Sequence, residues 1–120
     1  MRILLCPDSF KGSLSSIEVC NAIKKGFQRC TREIDIIEKP IADGGEGTIE
    51  ALYHGLGGRL VEKEITGPLW KKTKAQYLVL QDQRTAVIEM VQAAGLTLIP
   101  LKERNPRYTT TFGVGELILD

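Results

Sequence analysis

Asp43-Gly44-Gly45-Glu46-Gly47-Thr48 puts two carboxylates, three glycines and a hydroxyl into six consecutive residues. Glycine lets the backbone take a positive φ and lets a ligand come close. A helix beginning just after the glycines presents N–H groups to an anion. Either acid beside such a turn can hold a metal ion or accept a proton. The competing reading is a tight turn with a helix cap at Thr48. A second group, Asp8, Ser9, Lys11, Gly12 and Ser13, follows the first apolar run. Together the two groups offer a lysine, hydroxyls, a helix start and three acids. That set suits a phosphorylated or carboxylate ligand with a divalent cation. Phosphoryl transfer uses the same parts: neutralised charge, a metal and a positioned alcohol. A third group, Thr109-Thr110-Thr111 followed by Gly113-Val114-Gly115-Glu116, either receives an anion at a helix start or simply caps a helix. Glu89 reads equally as a site carboxylate or as the partner of an arginine, and Trp70 as turn packing.

These groups need elements to hold them. Residues 2–6 are an apolar run stopped by Pro7, which predicts a strand buried on both faces. Ser15-Ser16-Ile17-Glu18 has capping-box spacing, and Ile17, Cys20, Ile23, Phe27 and Cys30 recur at helical steps. A helix over 15–30 and a second strand over 34–39 complete a right-handed βαβ unit. In open α/β sheets ligands gather beyond the carboxyl ends of parallel strands, so the Asp8 and Asp43 loops are expected side by side. A short helix over 47–56 ends at Gly57-Gly58. Strands are predicted at 59–66, where Leu60, Val61 and Ile65 compete for the buried face, and then at 72–80 and 85–90. Gly67-Pro68 is the turn between the first two. A short helix through Ala93-Ala94 breaks at Gly95, and a final helix opens near Gly113. The fold class is α/β: a Rossmann-like βαβ opening, residues 1–58, then the start of a second, mixed-sheet α/β domain, residues 59–120. The last helix has an apolar face cut short at Asp120, the pattern of an incomplete chain.

Composition narrows the class. At 42% hydrophobic and 26% charged, the chain is ordinary for a globular protein. A net charge of +1 gives no pull toward nucleic acid, and Lys71-Lys72 with Lys74 reads as a solvated strand or turn. No apolar run nears a membrane span, and the amino terminus is too short in apolar residues for a signal peptide. Cys6, Cys20 and Cys30 are odd in number and widely spaced, which predicts small buried residues in a reducing cytoplasm. His54 has no ligand-spaced partner and reads as a helix-surface residue. The P-loop pattern is absent. No Gly-x-Gly-x-x-Gly follows the first strand either, which argues against a dinucleotide-binding domain.

Five stretches in register carry a resemblance. They are Cys6 to Ser15, Pro40 to Thr48, Thr66-Gly67-Pro68-Leu69, Thr85 to Met90, and Thr109 to Ile118. Along all 120 residues their order and spacing resemble the opening of the bacterial glycerate kinase family, type I, the glycerate 2-kinase-like group. The resemblance implies ATP-dependent phosphorylation of D-glycerate with Mg²⁺, by two α/β domains, one inserted into the other, with the active site between them. For such a reaction the loop residues Asp43, Glu46 and Lys11 are the catalytic candidates: Asp43 or Glu46 would orient the reacting hydroxyl or the Mg²⁺, with Asp43 the candidate metal ligand. Asp8, Ser9, Lys11, Gly44, Gly45, Thr110, Thr111 and Gly113 become the substrate-binding set. It departs from the family pattern at Trp70, where glycine is usual, at Val91-Gln92, where small residues are usual, and at Val114, where threonine is common. Family members are much longer, so the alternative is a catalytically silent fragment or an interaction module. An incomplete layer would expose apolar edges that bring two copies together as a homodimer.

Overall fold

The computed structural model describes residues 1–30 and 33–120. The chain is mixed α/β and forms two compact units, Met1–Gly55 and Leu56–Asp120.

In the first unit β1, Arg2–Leu5, pairs in parallel with β2, Asp35–Glu38, in the register Leu5 opposite Glu38. Between them runs α1, Ser16–Cys30. Its start is a complete capping box. The Glu18 N–H donates to Ser15 Oγ at 3.3 Å, and the Ser15 N–H donates to Glu18 Oε2 at 2.8 Å. Such a reciprocal cap is worth about 1 kcal/mol. Ser16, Val19 and Cys20 turn inward, and the Cys20 thiol faces the Leu5 carbonyl at 4.0 Å. Lys24 forms an ion pair with Glu38 at the end of β2.

Three expectations change here. The predicted helical stripe is buried only at Cys20, while Ile23 and Cys30 are exposed. The reason is length: a 15-residue helix runs about 22 Å and a four-residue strand about 13 Å, so α1 outruns the sheet beneath it. Cys6 is exposed as well. Cys20 alone behaves as a small core residue, and its burial, with the nearby Glu38 charge, pushes the thiol pKa up. Strand β1 is not buried on both faces either. Leu5 is inside but Leu4 is 59% exposed, because a two-stranded sheet covered on one side leaves its other face open.

Helix α2, Thr48–Leu56, follows the Asp43 loop, and His54 lies on its exposed side as expected. In the second unit β3, Arg59–Thr66, and β4, Lys72–Val79, form a long antiparallel hairpin, with β5, Ala86–Val87, on the far side of β4. Gly58, at φ +127°, starts this hairpin; a Cβ there would sit 2.4 Å from the Val79 carbonyl oxygen. Ile65 wins the buried face of β3 and packs with Ala75, Ala93 and Leu117, ringed by Tyr77, Ile88 and Val114.

The third strand stops after two residues rather than running to Met90. Met90 already has helical angles, and the Glu89 and Met90 carbonyls accept the N–H groups of Gln92 and Ala94. Those bonds open α3, Val91–Ala94, and two 3₁₀ turns follow at Leu96–Leu98 and Leu101–Glu103. Helix α4, Phe112–Ile118, packs back on β3. No helix among the described residues is long and apolar enough to cross a membrane.

Candidate active site

The first unit brings its two loops to one edge. Beyond the paired strands the chains stay together: the Lys39 N–H donates to the Leu5 carbonyl at 2.8 Å, and the Ile41 N–H to the Pro7 carbonyl at 3.2 Å. Both loops therefore leave the carboxyl end of the same parallel pair, where α/β sheets collect ligands.

The Asp8 loop is built from local bonds. Asp8 Oδ1 accepts the Ser9 N–H at 2.7 Å. Phe10 and Leu14 exchange backbone bonds at 2.8 and 3.1 Å, closing Lys11-Gly12-Ser13 into a tight tip with Gly12 at φ +74°. Lys11 is exposed on that tip.

In the Asp43 loop, Asp43 Oδ1 accepts the Gly45 N–H at 2.8 Å, and the Thr48 hydroxyl donates to the Gly45 carbonyl at 2.7 Å. Gly44 and Gly47 have φ of +97° and +90°, a region L side chains resist. Two of the three glycines thus have a backbone reason. Thr48 is not the side-chain cap that the sequence suggested, since its hydroxyl donates backward to the turn. Asp43 and Glu46 are exposed, and among the described residues neither they nor Lys11 form an ion pair.

The second unit gathers two of the resembling stretches and the end of a third. The Thr110 N–H donates to the Pro68 carbonyl at 3.0 Å, and the Phe112 N–H donates to Thr110 Oγ1 at 3.1 Å. The hydroxyl that serves the start of α4 is therefore Thr110; Thr111, at the cap position, makes no side-chain cap bond. At seven residues, α4 is too short for its dipole to be the main source of anion affinity. Met90, Thr111, Phe112, Val114, Gly115, Glu116 and Leu119 line a cavity of about 490 Å³.

Two contacts beside it were not legible beforehand. Glu116 reaches back fifty residues to Thr66, accepting its N–H and, at 3.3 Å, its hydroxyl. Trp70 sits at φ +63° with its ring 6.3 Å from that of Phe112. The left-handed angle explains why glycine suits this position, and Trp70 adopts it all the same. The sequence signal for both was the Gly67-Pro68 turn, which marks a bend but not what the bend meets. Glu89, 3% exposed, lies at the junction of β5 and α3 and does not line the cavity.

Among the described residues no three or more His, Cys, Asp or Glu side chains gather as a metal-binding group. Mg²⁺ in phosphotransfer sites often takes one or two carboxylates and completes its shell with phosphates and water. Asp43 fits that demand as a single ligand.

Comparison with known proteins converges on one family. The family model described as "Glycerate kinase family" matches residues 3–120. The chain is 48% identical over 118 residues to the glycerate kinase of Bacillus subtilis (strain 168), covering 98% of this chain and 31% of that protein. It is 45% identical over 119 residues to the glycerate 2-kinase of Escherichia coli (strain K12), again covering 31% of the relative. A crystal structure assigned to glycerate kinase 2 of Salmonella typhimurium LT2 superposes with a TM-score of 0.77 at 46% identity, over 99% of this chain and 32% of that one. The chain thus spans about a third of the length of the relatives it matches. With a mixed α/β fold and a family match running almost end to end, the chain belongs to the glycerate kinase family.

Proposed function

We propose that this chain supplies the acceptor-binding part of an ATP-dependent D-glycerate kinase. The observation that carries the reading is the pair of loops at one sheet edge, which present Lys11, Asp43 and Glu46 with no ion pair among the described residues, in a chain of this family. Lys11, on its closed tip, neutralises the glycerate carboxylate, with Asp8, Ser9 and the Gly44-Gly45 backbone lining the acceptor. Asp43 is oriented by its bond to the Gly45 N–H. Asp43 or Glu46 takes the proton from the reacting hydroxyl as its oxygen bonds to the γ-phosphorus of ATP and the bond to the ADP oxygen breaks. Mg²⁺, when bound, neutralises the phosphate charge, and Asp43 is the residue that would hold it. Thr110, Thr111 and Gly113 contribute polar contacts to substrate or phosphate. The activity belongs to a cytoplasmic enzyme in this reading.

The test is ADP release dependent on D-glycerate, with the fold followed by circular dichroism. Turnover that falls in Asp43→Asn supports the assignment, and unchanged turnover removes Asp43 from the mechanism. A folded 120-residue chain with no turnover above blank points to the second reading, a catalytically silent piece. The 31% coverage of the relatives favours that reading for the chain alone.

A further inference from the structure

Within Thr109–Gly113 the one local side-chain bond is that from the Phe112 N–H to Thr110 Oγ1, among the described residues. No side chain caps α4 at Thr111, and the helix has only seven residues. The segment is also held from two sides by the end of β3 and the turn that follows. Ahead of it, the Thr110 N–H donates to the Pro68 carbonyl at 3.0 Å. One turn further on, the Glu116 carboxylate accepts both the N–H and the hydroxyl of Thr66, with Lys72 Nζ 3.9 Å away. Between the two tethers, Gly113 packs so closely that a Cβ would lie 2.2 Å from the Thr66 carbonyl oxygen. Glu116 is therefore a charged side chain that joins α4 to Thr66, and it also lines the cavity beside Thr111.

We propose that Glu116 is a positioning residue for the kinase reaction: by tying α4 to Thr66, it fixes the placement of Thr110 and Thr111 at the start of that helix. This rests on the reading of those threonines as substrate contacts. An interaction made equally with substrate and transition state appears in KM with kcat little changed. A residue that acts only on stability would lower the melting temperature and leave KM alone. Trp70, the one tryptophan of these 120 residues, lies in a tilted pair with Phe112 at the start of α4, so its emission reports where that start lies.

The experiment compares Glu116→Ala, Glu116→Gln and Glu116→Asp in an active glycerate kinase carrying these residues, with any tryptophan other than Trp70 replaced by phenylalanine. It reads D-glycerate KM, kcat, Trp70 emission and melting temperature. Glu116→Ala is expected to raise KM about tenfold with kcat within about threefold, and to shift Trp70 emission. Glu116→Gln, which still accepts the Thr66 N–H, should restore both. Glu116→Asp keeps the charge but withdraws it by one methylene and should behave like Ala; it decides the matter if Ala does not fold. A lowered melting temperature with unchanged KM and emission overturns the proposal. Thr110→Val and Thr111→Val separate the two layers. If both leave KM unchanged, the reading of the threonines falls, whereas a KM raised by them but not by the Glu116 variants sinks the role of Glu116 alone.

Discussion

Gly113 of α4 and Thr66 of β3 meet backbone to backbone: a Cβ on Gly113 would lie 2.2 Å from the Thr66 carbonyl oxygen and 2.7 Å from Ile65 Cδ1. Carbonyl and core side chain both resist displacement, because Thr66 is bonded to Glu116 and Ile65 is 2% exposed. Gly113→Ala is therefore expected to cost about 1–3 kcal/mol, the range for overpacking, although alanine is the better helix former. Urea denaturation checks this. Gly115→Ala is the control: nothing lies within 4 Å of its Cβ position, and it should be neutral or slightly stabilising.

Asp43 has a structural bond and a proposed chemical role, and two substitutions separate them. Asparagine keeps an oxygen to accept the Gly45 N–H and loses the negative charge. Asp43→Asn should leave stability within about 0.5 kcal/mol while turnover falls about 10²- to 10⁴-fold. Asp43→Ala loses the turn bond as well and should cost a further 1 kcal/mol or so. Thermal melts beside steady-state rates give the comparison. Equal activity in Asp43→Asn and wild type would leave Asp43 with the turn alone.

Trp70 holds a left-handed angle at φ +63° while stacked on Phe112 and 65% exposed. That angle costs a non-glycine residue about 1 kcal/mol or more. An aromatic pair returns about 0.5–1.5 kcal/mol, toward the lower end when it is wet. Trp70→Gly relieves the angle but loses the stack and loosens the unfolded chain, so the net change should stay within about 1 kcal/mol. Trp70→Ala loses the stack and keeps the angle, so it should be the less stable of the two. The order of the two urea midpoints is the readout, and the reverse order would mean that the angle is not strained.

What could be read from sequence follows the range of the interactions. The Ser15–Glu18 capping box was legible because both partners lie within one helical turn. The βαβ opening and the β3–β4 hairpin followed from periodicity and the Gly67-Pro68 turn. Cys30 was placed inside because periodicity marks a face without saying how far the sheet beneath extends. The third strand was drawn to Met90 because Ile88, Glu89 and Met90 carry no breaker; the backbone bonds that open α3 end it. In the candidate site, the Asp8 and Asp43 loops were found because their glycines and acids are contiguous. The tie between Thr66 and Glu116 was missed, since a bond across fifty residues leaves no local signature.

Asp120 closes the second unit onto its sheet. It forms an ion pair with Lys63 of β3 and accepts the hydroxyl of Tyr77 of β4 at 2.8 Å. The Lys63 hydrogen bond, with Tyr77 next, holds the Asp120 carboxyl below its ordinary value; the bonds to Asp120 raise Lys63 and Tyr77. A carboxylate with a depressed folded pKa stabilises above its unfolded value, near 4, and that contribution is lost as pH falls through the folded pKa. Lysine and tyrosine with raised folded pKa values contribute below about 10, and the contribution fades as pH rises through the folded values. The cluster should therefore act from about pH 4 to pH 10 and fail at both ends. All three groups are solvent-accessible, so the effect is small and shrinks in salt. Asp120→Asn should flatten the pH dependence of the melting temperature at both limits at low ionic strength. Wild type and variant should converge at about 1 M salt, where the screening length falls to about 3 Å. Parallel curves across the whole pH range would show that the cluster contributes no pH-linked stability.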